Sequence, residues 1–354
     1  MLTQNEMIAI KNVEDYASGN NEQSLRAIRG LLKRYKMENI DIDAFIDKIF
    51  NKKITINFHP DLLTEEDNLV LESFLEEGVY QNQFVTKISN GHLSVQNDDR
   101  RDKWEKDIFC LEMPLPANQR PKYGGLNVFN YLDGASPKYG SCYFELNESI
   151  TSRCTFLIAD TQGEMRKKGT RNSFYTLLLS VILEIIKTGQ LFGKKYSNVT
   201  EFFADMNNNY IDTQREMGGN VLDYGLEAQI HGTVDFDRDI DFMYIDQSYV
   251  GSVVHDLSEE ISRRYKIYIK WIPERRVTVD KILHNCSDEE LKLLLKELLK
   301  ISPINYINAK ILGYIRILLR DNKKHWLKYA DETQWNRCLR KIWRMILANY
   351  TRES

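Results

Sequence analysis

Leu226, Ala228 and Ile230 alternate with Glu227, Gln229 and His231, and Gly232 follows. A period of two puts the two sets on opposite faces of a β-strand. The apolar face is ordinary. The other face is costly, because a carboxylate, an amide and an imidazole taken out of water each need a partner. An edge strand facing solvent meets that need with water, and a cleft meets it with a ligand. Either way, the chain must build a sheet with one polar side and cover the apolar side with something else.

A cover is visible in Phe174, Leu177, Leu178, Val181, Ile182, Ile185 and Ile186, which recur at helical spacing. Gly189 stands where a helix ends in left-handed backbone. Upstream, Leu25, Ile28, Leu31, Leu32 and Tyr35 keep helical spacing after Ser24, a candidate N-cap, and a short helix is expected over 43–50. The pattern then changes. Ile54 to His59 alternates, is β-branched and stops at Pro60, so it predicts a strand. Further strands are expected over 84–88, 140–146, 153–158, 242–245 and 264–271. Ser287 and Glu290 form a capping-box pattern ahead of a helix over 291–299. Helices over 307–319 and 333–350 follow. The expected class is α+β: an N-terminal helical segment (1–50), a core (51–275) and a C-terminal helical segment (276–354).

The net charge of −3 gives no general attraction to nucleic acid or to an anionic membrane. The most apolar run, 177–186, is too short to span a bilayer and contains Glu184. The N-terminus shows no basic stretch followed by an apolar one, so no conventional signal peptide is expected and a cytoplasmic setting is. The five cysteines are odd in number and scattered without a C-x-x-C pair, which argues against a disulfide framework and against a zinc site. No metal site is expected in the core reading. Residues 320–354 hold nine basic against four acidic residues, so the last helix is a candidate surface for a protein partner.

Six blocks carry a resemblance between Ile54 and Gly251. They are Ile56-Asn57-Phe58-His59-Pro60-Asp61, Asn82 to Gly91, Arg101-Asp102-Lys103-Trp104-Glu105, Arg120-Pro121-Lys122-Tyr123-Gly124, Asp133 to Phe144, and Glu227-Ala228-Gln229-Ile230-His231-Gly232. Through them the chain resembles a bacterial domain-of-unknown-function family that includes ADP-ribosyltransferase-like effectors, with ubiquitin threonine as one acceptor. The resemblance implies an ADP-ribosyltransferase-like split β-sheet core. It also implies NAD as substrate, a protein acceptor, and delivery into a host cell without a conventional signal peptide.

Such a transferase breaks the nicotinamide–ribose bond through a cationic, oxocarbenium-like transition state. It needs a carboxylate near the ribose, an aromatic near the nicotinamide, and a His or Arg that fixes the rest of the dinucleotide. The resemblance supplies these in chain order. His59 ends the first strand, Tyr143 follows glycine on a second, and Glu227 with Gln229 comes last, as catalytic candidates. Arg101, Ser89, Asn90, Tyr123, Ser141 and His231 are the candidate dinucleotide contacts, with Ser89 an alternative to Tyr143 as the second motif. Glu227-x-Gln229 reverses the usual Gln-x-Glu order, which leaves open which group faces the acceptor. His231 could instead orient Glu227 or Gln229.

Two readings compete. Asp235, Asp237, Asp239 and Asp241 alternate, and such a cluster can hold a divalent ion and a sugar diphosphate, as in a metal-dependent glycosyltransferase. An EF-hand does not fit, since the sixth position lacks glycine and the twelfth is Asp246. The other reading is a non-catalytic effector that binds a protein.

Overall fold

The computed structural model describes residues 2–64, 67–86, 100–158, 167–206, 215 and 225–348, without the side chains of Arg100 and Arg101. Three helices lead: α1 (Gln4–Ser18), α2 (Asn21–Arg34) and α3 (Ile42–Phe50). A capping box between Thr3 and Glu6 starts α1, and Asp41 caps α3. Eight strands then make one sheet. They are β1 (Ile54–Phe58), β2 (Lys122–Leu126), β3 (Cys142–Leu146), β4 (Cys154–Ile158), β5 (Lys168–Gly169), β6 (Leu226–Ile230), β7 (Ile240–Asp246) and β8 (Tyr268–Ile272). Their spatial order is β8-β7-β3-β1-β2-β6-β4-β5. All neighbours are antiparallel except β7 and β8.

The sheet has two unlike faces because its strands alternate. On one face Ile56, Phe144, Phe156 and Ala228 are fully buried. The helix α4 (Tyr175–Thr188) lies in the same core, with Leu177, Leu178 and Ile182 fully buried. Each of these helix side chains contributes about 1.5–3 kcal/mol by leaving water. Gly189 ends α4 at φ 67°, a conformation that costs glycine little. The opposite face carries Thr55, Asn57, Tyr123, Tyr143, Thr155, Glu227 and Gln229, in line with the pairings Thr55–Gly125, Gly125–Glu227 and Gln229–Thr155.

The C-terminal helices α5 (Glu289–Ile301), α6 (Ala309–Asp321) and α7 (Glu332–Ala348) pack onto this body. Trp343 donates from Nε1 to the Pro137 carbonyl at 2.9 Å, and its ring meets His59 edge-on at 5.0 Å. Buried Asp61 accepts from Tyr249 at 2.8 Å and pairs with Arg316 of α6 at 3.3 Å. Gly313 is required there, since a Cβ would stand 1.7 Å from an Asp61 carboxylate oxygen.

The α+β class, the central sheet and the helical ends are as expected. Several local expectations are corrected. Residues 83–86 form a short helical turn rather than the start of a strand. Ser24 lies inside α2, where its hydroxyl bonds Thr176 at 3.0 Å, and does not cap it. Asp288, not Ser287, caps α5, accepting from the amides of Glu290 and Leu291. Arg264 belongs to the helix Val253–Tyr265, so the last sheet strand starts later, at Tyr268. No helix among the described residues is long and apolar enough to cross a membrane.

Candidate active site

Glu227 sits half-buried on the polar face, where two covers meet. One cover is the helix Arg100–Phe109. Its Glu105 accepts from the Tyr123 hydroxyl at 2.6 Å, and Trp104 packs on the Tyr123 ring at 5.6 Å. Arg120, buried, fastens this helix by pairing with Asp102 at 2.5 Å and Glu105 at 3.3 Å, and its guanidinium lies 3.7 Å from the Phe84 ring centre. The second cover is the 131–137 loop. Gly125, opposite Glu227, permits it, because a Cβ there would meet Ala135 Cβ at 2.8 Å. The loop is tied down by backbone amides of Ala135 on Thr55 and of Ser136 on Asn57. Arg215 and Arg275 pair with Asp133 at 3.4 and 2.9 Å. These two cations hold the Asp133 carboxyl below its usual range, although burial acts the other way.

Behind Glu227 runs a line of polar side chains. Gln229 donates from Nε2 to Glu227 Oε1 at 2.8 Å. Thr155, fully buried, stands 3.0 Å from Gln229 Oε1 and 3.2 Å from His231 Nε2. His231 is fully buried against the Phe109 ring. Burial first, then the cations of Lys122 and Arg153, pull its pKa down to about 3, so the imidazole is neutral. Lys122 is itself pulled down to about 8, mainly by burial, and donates to the Gly232 carbonyl at 2.7 Å.

The other sequence candidates are placed as follows. Tyr123 is at the site, with its hydroxyl committed to Glu105. Tyr143 shares the polar face but is sealed: it stacks on Tyr244 at 4.2 Å, donates to the Leu132 carbonyl, and is 2% exposed. His59 is 3% exposed beneath Trp343. It lies two strands over and four residues along from Glu227, roughly 16 Å on sheet spacings. Burial, and secondarily Arg316, lowers its pKa well below the ordinary histidine value. Ser141 is buried with Cys142 and Tyr249 on that same side. His59, Tyr143 and Ser141 are thus covered by packed side chains and loop, and are not brought together with Glu227. Ser89 and Asn90, and the Arg101 side chain, lie outside the described residues. Thr155 and Glu105 were not singled out from sequence. Glu105 stood within a quoted block, whereas the pairing of Thr155 with Gln229 depends on strand register.

Three of the four aspartates in the 235–241 cluster are committed elsewhere. Asp239 pairs with Arg153 and Arg238, Asp241 with Lys53, and Asp235 caps the turn that follows it. Cys142 is fully buried, and burial pushes its thiol far above the usual range. A cleft of about 410 Å³ between α1 and the turn before β4 is lined by Glu14, Glu148 and Arg171 among others. Among the described residues, none of the predicted site residues borders it, and the converging carboxylate, amide and imidazole lie on the polar sheet face instead.

The geometry is that of a half-buried carboxylate held by the Gln229 amide. The chain belongs to the DUF3626 family. That family is described as a protein of unknown function, and its model matches residues 53–350. The DUF3626 match takes in α5, α6 and α7, which the resemblance read from sequence left out, and it begins after α3. No curated protein matches the chain.

Proposed function

We propose that this DUF3626 chain is an NAD-dependent mono-ADP-ribosyltransferase acting on a protein hydroxyl, with ubiquitin threonine the first acceptor to test. The ADP-ribosyltransferase-like reading of the sheet belongs to the same proposal. What carries it is Glu227: a half-buried carboxylate on a polar sheet face, oriented by Gln229 and flanked by the Trp104–Tyr123 aromatic pair.

In the proposed reaction the bond from ribose C1′ to the nicotinamide nitrogen breaks, and its electrons leave with nicotinamide. Positive charge grows on the ribose. Glu227, fixed before the reaction begins, stabilises that charge at no further reorganisation cost. The acceptor oxygen then bonds to C1′ and its proton is released, giving ADP-ribosyl protein, nicotinamide and H⁺. The Trp104–Tyr123 edge provides the aromatic surface for the nicotinamide ring. His59, Tyr143 and Ser141 have no direct part in this scheme. A sugar-nucleotide transferase built on Asp235–Asp241 is disfavoured because three of its four carboxylates, Asp235, Asp239 and Asp241, already have cationic or capping partners.

The test is incubation of the protein with labelled NAD and a cell lysate, or with purified ubiquitin. Labelled protein bands, insensitive to a chelator, are expected. Absence of label in every fraction would overturn the assignment.

A further inference from the structure

The polar line behind Glu227 has a direction fixed by what each group can donate. A carboxylate only accepts, so the Gln229 amide must turn its nitrogen toward Glu227, 2.8 Å away. Its oxygen then faces Thr155 Oγ1 at 3.0 Å and must accept. The single Thr155 proton is thereby used. His231 Nε2, 3.2 Å from the same Oγ1, has to be the donor there. This fixes the neutral imidazole as the Nε2–H tautomer and leaves Nδ1 a bare acceptor. Independently, His231 Nδ1 is buried with no hydrogen-bond partner among the described residues.

We infer that Thr155 and His231 are positioning residues for Glu227, forming with Gln229 a one-way chain of donors that ends on its carboxylate. The inference deepens the proposed reaction, because Glu227 is the carboxylate assigned there, yet the donor logic makes no use of NAD. Three donors aligned head to tail polarise one another. They fix the carboxylate's orientation and favour its charged form. The register supplies the alignment: Thr155 lies directly opposite Gln229, and Gln229 is two residues from both Glu227 and His231 on one strand face.

The test uses the full chain without NAD. Nitrogen NMR of labelled histidines reads the His231 tautomer, and carbon NMR of labelled glutamates, assigned by loss of one signal in Glu227→Gln, reads the Glu227 titration. The expected result is the Nε2–H form of His231 in wild type. Thr155→Val should raise the Glu227 midpoint by roughly half a pH unit or more, and Thr155→Ser should restore it. An Nδ1–H tautomer would overturn the inference, even if Thr155→Val fails to fold. So would a folded Thr155→Val with an unshifted Glu227 midpoint. If wild-type protein transfers no ADP-ribose while these shifts are present, the reaction is lost and the relay stands.

Discussion

Glu227, Gln229 and His231 share one strand face, yet they differ sharply in exposure: the first is half-buried and the other two are sealed. That gradient separates the group that can meet a ligand from those that hold it. It also has a pH signature. His231 in the folded chain has its pKa pulled to about 3 from 6.5, so the unfolded chain takes up a proton first as pH falls. Stability linked to His231 is full above about pH 6.5 and is lost as pH drops toward 3. Asp246, which burial pushes up to about 6, works with the opposite sign: its contribution falls as pH rises from 3.8 through 6. A difference against a variant isolates the histidine. Relative to His231→Gln, wild type should lose about 1.4 kcal/mol per pH unit below roughly pH 6. Denaturant melts of both proteins between pH 7 and pH 4.5 measure this, and a flat difference would contradict the buried neutral imidazole.

Elements with purely local signals were legible in the sequence. The α4 stripe and its Gly189 stop need only neighbours in the chain, as does the alternation of β1 and β6. Where two local signals compete, sequence chose wrongly. Ser287 and Asp288 are both good caps, and the helix takes Asp288, whose carboxylate also pairs with Lys341 of α7. Asp288→Ala should therefore cost about 1 kcal/mol, and Ser287→Ala should stay within about 0.5 kcal/mol, read from chemical denaturation midpoints. Equal effects would put the cap back at Ser287. The candidate site was legible only in which strand face its residues share. The placement of Glu227 and Gln229 on the polar face followed from alternation. The covering of Tyr143 by the 132–134 turn, and of His59 by Trp343 more than 280 residues away, is set by tertiary packing that no local pattern encodes. Trp343 is the clearest such element. Trp343→Phe should cost about 1 kcal/mol for the lost bond to Pro137, and Trp343→Ala about 3–5 kcal/mol. Comparable small losses for both would show that the helix rests loosely on the loop.

At the scale of the molecule, the C-terminal helices and the sheet are joined through buried polar contacts rather than a bare linker: Asp61 with Arg316, Trp343 with Pro137. The basic surface of α7 is also partly used internally, with Arg337 paired to Glu290 and Lys341 to Asp288. The chain should thus unfold as one unit. Two of the five tryptophans, Trp335 and Trp343, lie in α7, and a third, Trp326, lies in the turn between α6 and α7, so fluorescence reports mainly on this C-terminal segment while far-UV circular dichroism reports on every helix and strand. The two denaturation curves should coincide. An earlier fluorescence transition would mean that the helices detach as a separate unit.

In the proposed transfer, Glu227 carries the chemistry. The most direct test of that role compares Glu227→Gln with Asp241→Asn for transfer from labelled NAD to an acceptor, alongside melting temperatures. The amide keeps the volume of Glu227 and loses the charge that steadies an oxocarbenium ion. A loss of roughly 10²-fold or more is expected for Glu227→Gln, with an unchanged melting temperature, and activity within a few-fold of wild type for Asp241→Asn. A folded Glu227→Gln protein that transfers ADP-ribose within a few-fold of wild type would contradict that role.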